Sequence, residues 1–301
     1  MIKQPALNTT VVSAYNYEWQ PVDFKSFLTE CHHIQSTLNE ACLFRGHRKA
    51  DRILDSTFAR SLKLKLGLPE THRYPEETLS DIKMQHALAK LWLQKVDGIQ
   101  LNPDLVKMES QGIDPYFEYH RHHQHNRDDP NIMDIDPKGT NFLDFSYDWK
   151  VGLYFANEKR EDIDEGALFI VRQTMLKKAL LTNPFYHIIE ALRNALNQYP
   201  QYPYDGWPLL VCPEEQLRNP LDPKPTRQNA VYIAQMDFRF DVGLSWMDRH
   251  FLTGDQIFMK LILPAGTQQE VTDYLSAHGI TRNYLFPSTI FDKLPAPAMI
   301  S

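Results

Sequence analysis

Cysteine is scarce in this chain of 301 residues: Cys31, Cys42 and Cys212 are the only three, and none is spaced as C-x-x-C. An odd, unpatterned set of thiols speaks against a disulfide scaffold or a thiolate zinc site and fits a reducing compartment, so a cytoplasmic protein is expected. Positive charge is not in surplus either. Lys and Arg number 32 against 38 Asp and Glu, a formal net charge of -6, so no chain-wide basic field exists and any nucleic-acid contact has to be local. No apolar run approaches the ~20 residues needed to span a bilayer, and the opening MIKQPALNTTVVSAYNYEW lacks an apolar signal core, so no membrane anchor is expected. The signatures G-x-G-x-x-G, G-x-x-x-x-G-K-S/T, G-x-S-x-G and H-E-x-x-H are all missing, which leaves a Rossmann sheet, a serine triad and a zinc protease without support. No repeat, low-complexity tract or flexible linker divides the chain.

What is present suffices for a core: 43% of residues are hydrophobic and 12% aromatic. Phe24, Phe27, Leu28, Cys31, Ile34 and Leu38 recur at helical spacing, predicting a helix over 22–41 that leads into a strand at 42–45. Further helices are predicted over 75–96, 115–125 and 184–199. NRDDPNIMDIDPKGT (126–140) reads as a loop, NFLDFS as a short buried strand, YDWKVGLYFANEK as a helix and GALFIVRQ as a strand. The proline-rich stretch 200–229 reads as an irregular connection. NAVYIAQMDFRF and QIFMKLILP follow as strands, then TQQEVTDYLSAHG as a helix ended by Gly279. Strands scattered among helices without regular alternation predict one α+β domain.

Four stretches carry chemistry. In LFRGHRKADRILDSTFARSL (43–62), Arg45 at a strand end either braces the fold through a carboxylate or waits for an anion, and Gly46 would let a ligand approach the backbone. In GTNFLDFSYDWKVGLYFANE (139–158), Thr140, Asp144 and Ser146 are polar groups in an apolar strand. Asp144 could pair with a buried arginine and Ser146 could cap the next helix; alternatively they surround a nucleotide, with Tyr154 or Phe155 offering a ring to a base. YHRHHQHNRDD (119–129) sets His122 with His125 and His120 with His123 three apart, which allows a metal, a hydrogen-bonding histidine in a cleft or a solvated turn. In RQNAVYIAQMDFRF, Gln235 and Asp237 share one strand face.

Taken in order, these pieces resemble the FRG domain, a bacterial family named for a Phe-Arg-Gly motif, here Phe44, Arg45 and Gly46. STFARSL resembles its turn with a second arginine, and Gln124-His125 its Gln-His before the central strand. FLDFSYDWKVGLYFA resembles its Leu-Leu-Asp-Trp-Thr strand and following helix, VYIAQMDF its late Gln-containing strand, and KLILPAGTQQEVTDYLSAHGITRNYLFP its ending. The likeness covers roughly 35–294; about a dozen extra residues around NRDDPNIMDIDPK, and Gly139 in place of a proline, depart from it. It implies a domain over 35–295 after a helical lead-in at 1–34, with a split mixed or antiparallel sheet and flanking helices, similar to the ADP-ribosyltransferases.

Such a domain would use NAD as co-substrate. Arg45 would hold a ribose or phosphate, Gly46 the nicotinamide amide, Thr140 or Ser146 the place of the Ser-Thr-Ser element, and Tyr154 or Phe155 the stacking ring. Gln235 would stand at the usual glutamate, with Asp144 or Asp237 as the alternative carboxylate. The implied activity is an NAD-dependent ADP-ribosyltransferase toxin of phage defence or of a toxin-antitoxin pair. Its target would be RNA, held by Arg121, His123 and His125 beside aromatic rings, or else a protein, and an antitoxin protein is a possible partner. The rival readings are a non-catalytic nucleotide- or partner-binding module and, last, a metal-dependent nuclease using the histidines.

Overall fold

The computed structural model describes residues 18–38, 42–65, 139–172, 209–211, 224–235, 241–243 and 258–287. The helices predicted over 75–96, 115–125 and 184–199, the histidine-rich stretch and Asp237 lie outside them. The elements are β1 (Glu18–Trp19), α1 (Phe24–Leu38), β2 (Cys42–His47), α2 (Thr57–Lys65), β3 (Phe142–Ser146), α3 (Trp149–Asn157) and β4 (Gly166–Arg172). They continue with β5 (Leu209–Val211), α4 (Lys224–Arg227), β6 (Ala230–Ala234), β7 (Phe258–Leu263), α5 (Gln268–Ala277) and α6 (Arg282–Leu285). The fold is therefore mixed α+β, built on one sheet of seven strands in the order β1-β7-β4-β2-β3-β6-β5, antiparallel except where β1 runs parallel to β7.

Period-two alternation divides the buried side chains between the two faces of the sheet. Phe44, Leu168, Ile170, Met259 and Leu261 pack on one face with Phe27 and Cys31 of α1, Val151 and Leu153 of α3, and Val271 and Leu275 of α5. Leu43, Leu143, Phe145, Phe169, Val231 and Ile233 form the other face, joined by Leu54 and Val242. Helix α1 runs unbroken past residue 34, and Phe24, Phe27, Cys31 and Ile34 belong to the same core as the sheet. Among the described residues no helix is long and apolar enough to cross a membrane.

Three local expectations are corrected. STFARSL is a helix, α2, whose Phe58 and Ala59 are buried. The stretch 200–229 contains a strand, β5, and a helical turn, α4, so it is not wholly irregular. Ser146 does not cap α3: Asp148 does, its carboxylate accepting from Lys150 N, while Ser146 Oγ accepts from Asp148 N one step earlier.

The sheet is not evenly knit. Strand β2 pairs with β4 through six residues and β3 with β6 through five, but β2 and β3 meet at one pair, Phe44 with Ser146. Beyond that pair the two halves part, and the candidate site lies in the opening.

Behind α3 the chain is fastened by Arg160, which is 2% exposed. Nε and Nη2 donate to Asn157 Oδ1, Nη2 also to Thr267 Oγ1, and Nη1 to the carbonyls of Asp164 and Pro264, all at 2.8–3.2 Å. Burial lowers its pKa, and the charges of Asp162 and Asp164 oppose that shift. Arg160→Met strands those acceptors without a donor, so it is expected to destabilise the fold by about 3 kcal/mol, seen as a lower urea midpoint with an unchanged slope.

Candidate functional site

Strand alternation turns Leu43, Arg45 and His47 to one face of β2 and Phe44 and Gly46 to the face covered by α3. At the break, Arg45 spans from one half of the sheet to the other. Its Nη1 donates to the backbone oxygen of Asp144 at 2.6 Å, and its Nε donates to His47 Nε2 at 3.1 Å. The guanidinium thus supplies a donor to a β3 carbonyl that lies past the last paired residues.

Gly46 answers to packing. A Cβ there would stand 2.0 Å from the oxygen of Gly152 and 2.3 Å from the nitrogen of Ala156, both backbone atoms of α3. The expectation that this glycine clears a path for a ligand is corrected on that side, because α3 occupies the space where a side chain would go.

A cavity of about 390 Å³ opens at the break, within the range of small-molecule sites. Because β2 and β3 share only one pair there, the cavity is lined from both faces: by Phe44, Val151, Phe155 and Phe286 on the α3 side, and by Arg45, His47 and Phe145 on the other. Six cationic residues line it, Arg45, Arg48, Arg52, Arg60, Lys159 and Lys224, against two carboxylates, Asp144 and Glu158. In a chain of net charge -6 this is a local reversal of sign, and it favours an anion. Phe155 and Phe286 meet edge to face at 6.1 Å, giving the cavity a ring wall. Among the described residues the two non-glycine positions of positive φ are Lys159 (57°) and Asn229 (48°). Lys159 lines the cavity, and Asn229 lies between Gln228 and Ala230, which also line it. Holding a lysine in that conformation costs about 1 kcal/mol, and such strain gathers where backbone shape serves a site.

His47 sits in this field without a charge. Burial first, then the guanidinium charges of Arg45 and Arg60, hold its pKa well below 6.5; a hydrogen bond from the ring to the Arg52 backbone opposes that shift and outweighs the Arg52 charge. Between the folded and unfolded pKa values the unfolded chain binds more protons, so this residue's contribution to stability is complete above about pH 6.5 and is lost as the pH falls, with a limiting slope near 1.4 kcal/mol per unit. Urea unfolding of His47→Gln is expected to lose that share of the decline between pH 7.5 and 5.5. A slope equal to the parent's would contradict it.

Arg45, Gly46, Asp144, Ser146 and Phe155 come together on this cavity. Ser146 Oγ donates to Gln228 O at 2.7 Å, which ties β3 to the turn before β6. Tyr154 is not among the lining residues. Its hydroxyl donates to Glu158 Oε1 at 3.1 Å, and burial, followed by the Glu158 charge, pushes its pKa up to about 12, while Arg282 pairs with the same carboxylate. Its ring lies edge-on to Phe155, so Phe155 and Phe286 are the faces a base could meet.

Thr140 and Gln235 are placed elsewhere. Thr140 is fully buried, with its hydroxyl accepting from Phe142 N and its carbonyl from Phe58 N. The pairing of Ser146 with Ala230 puts the start of β6 at the cavity, and Gln235 stands five residues on, about 16 Å along the strand. There its amide is engaged at both ends: Oε1 accepts from Ser56 N at 2.8 Å, and Nε2 donates to Asp55 Oδ1 at 2.7 Å. Asp55 also takes Lys63 Nζ at 2.6 Å in a fully buried group. Arg121, His123 and His125 lie outside the described residues, among which no cluster of three metal-ligating side chains occurs.

Arg48, Arg52, Lys159, Lys224 and Phe286 were not singled out by motif. The available signal was density: Arg45, Arg48, Arg52 and Arg60 fall within 16 residues of an acidic chain. Comparison with family models, curated proteins and solved structures finds no match to this chain.

Proposed function

We propose that the cavity at the β2–β3 break binds NAD, and that the protein transfers ADP-ribose from it to a macromolecule, RNA or protein. One observation carries the reading: a pocket with six cationic residues and two phenylalanine rings, opened at the Arg45 end of β2 in an otherwise acidic chain. Two phosphates, a base and a ribose need that combination of fixed cations, ring faces and polar groups. The Phe-Arg-Gly and LDFS resemblance adds the reaction class.

Cleavage of the nicotinamide bond builds positive charge on the ribose carbon, so the chain has to clamp the dinucleotide and supply a carboxylate. Arg45 would take a phosphate or ribose oxygen, Ser146 would face the ribose, and Phe155 would stack. Gln235 has no place at such a centre from where it stands, and the carboxylate falls to Asp144, which lines the cavity. The second reading, a nucleotide-binding module without catalysis, is favoured by that same placement of Gln235.

Radiolabelled NAD incubated with total RNA and with cell lysate separates the two. The transferase reading expects label on one of them, absent with Asp144→Asn. NAD binding without label would leave the binding module, and no NAD binding would overturn the transferase reading.

A further inference from the structure

The cations at the mouth of the cavity are unmatched. Arg48, Arg52 and Lys159 line it and are exposed, and Arg227 is exposed next to Gln228, which also lines it. Among the described residues none of these four cations is in an ion pair, whereas Lys49, Lys63, Lys260 and Arg282 are each answered by a carboxylate. The carboxylate that answers Arg282 is Glu158, one of the cavity's two, so it is already engaged.

NAD does not use up that surplus. Six cations against two carboxylates leave four positive charges over. The diphosphate of NAD carries two negative charges and its nicotinamide ring one positive, so the dinucleotide answers about one of the four. A second substrate entering the same opening meets a field that is still positive, with Arg48, Arg52 and Lys159 on the side that water reaches. Such a field favours a polyanion over a protein surface, where charges of both signs are mixed.

The lip of the opening adds a ring. Tyr284 of α6 is 42% exposed, and the Arg227 guanidinium of α4 lies over it, 5.5 Å from the ring centre. Gln228 Nε2 donates to Leu285 O at 3.1 Å, which ties the end of α4 to α6, and Phe286, two residues past Tyr284, lines the cavity. Neither α4 nor α6 contains an acidic residue. An exposed ring under a guanidinium, beside unmatched cations, suits an unstacked base on a phosphate backbone; a duplex keeps its base faces covered.

We infer that the mouth of the cavity binds a single-stranded nucleic acid, with phosphates on Arg48, Arg52 and Lys159 and a base on Tyr284, and that this strand is the macromolecule to which ADP-ribose is transferred. In that step a nucleophilic oxygen or nitrogen of the strand bonds to the ribose carbon, the bond to nicotinamide breaks, nicotinamide leaves with the electron pair as a neutral base, and the acceptor's proton passes to solvent. The inference chooses nucleic acid over protein as the target; it rests on the proposed function for the transfer, but not for the binding.

Fluorescence anisotropy with a labelled mixed-sequence single strand, as RNA and as DNA, at several salt concentrations and with and without NAD, tests it. Three phosphate contacts should give a slope of log affinity against log salt of about -2. Replacing two of the cations together, Arg48→Gln with Arg52→Gln, should flatten it to about -0.7. Tyr284→Ala should weaken binding about tenfold at an unchanged slope, a loss that charge attraction alone does not produce. These side chains are exposed, so the variants test the surface without risk to folding. The sugar that binds tighter assigns the strand as RNA or DNA.

A duplex that binds as tightly as the single strand, or an unaffected Tyr284→Ala, would overturn the inference. Poly-glutamate binding as tightly would also overturn it and return the target to protein. Binding of the strand by a protein that does not bind NAD would support the surface and sink the proposed function. Binding of NAD with label passing to protein, and no strand bound, would do the reverse.

Discussion

Gly46→Ala is expected to lose about 4 kcal/mol or more, enough to unfold most of the protein at ordinary temperatures. The added methyl would meet Gly152 O at 2.0 Å and Ala156 N at 2.3 Å. Both are backbone atoms inside a helix, so neither can swing aside as a side chain would. Helix α3 would have to retreat by about an ångström, lifting Val151, Leu153 and Ala156 out of the core they share with Phe44 and Leu168. Gly266→Ala is the control. Nothing lies within 4 Å of a Cβ there, and the residue sits at φ 75°, so the loss is conformational and about 1 kcal/mol. Chemical denaturation of the two variants should differ accordingly; a mild Gly46→Ala would mean that α3 is not seated on β2 as described.

Arg45→Gln is expected to weaken dinucleotide binding about a hundredfold, the effect of removing one partner from a hydrogen-bonded charge pair. The loss has two sources. The cavity gives up the cation nearest the break, and the Asp144 carbonyl and His47 Nε2 lose the donor that fixes them. Arg45→Lys separates these sources, because an ammonium keeps the charge but has no planar fork to serve both acceptors. Its binding should fall between the parent and the glutamine variant, measured by calorimetry at one salt concentration. Equal affinity for all three proteins would remove Arg45 from the site.

The sheet and its helices were legible where one pattern ruled. The short, nearly continuous apolar runs FLDFS and GALFIVR, and the run of apolar residues behind Asp148, gave β3, β4 and α3, because elements buried on both faces show as unbroken apolar stretches. Helix α2 was hidden because TFARSLKLK looks polar, although Phe58 and Ala59 do the packing and Lys63 is drawn inside to Asp55. The site was half legible for a related reason. Arg45, Asp144 and Ser146 lie within two residues of the one β2–β3 pair, and Phe155 is in the helix that follows at once, so a local motif marks them. The placement of Gln235 depends on which end of β6 meets Ser146, a register that no single strand encodes. Lys159, Lys224 and Phe286 reach the cavity from separate elements, and only the folded chain gathers them.

A crystal structure of the protein soaked with NAD tests the central claim most directly. The dinucleotide should occupy the opening between β2 and β3, with phosphate oxygens within hydrogen-bond distance of Arg45 and a ring against Phe155 or Phe286. A dinucleotide bound elsewhere, or an empty opening at saturating NAD, would contradict it.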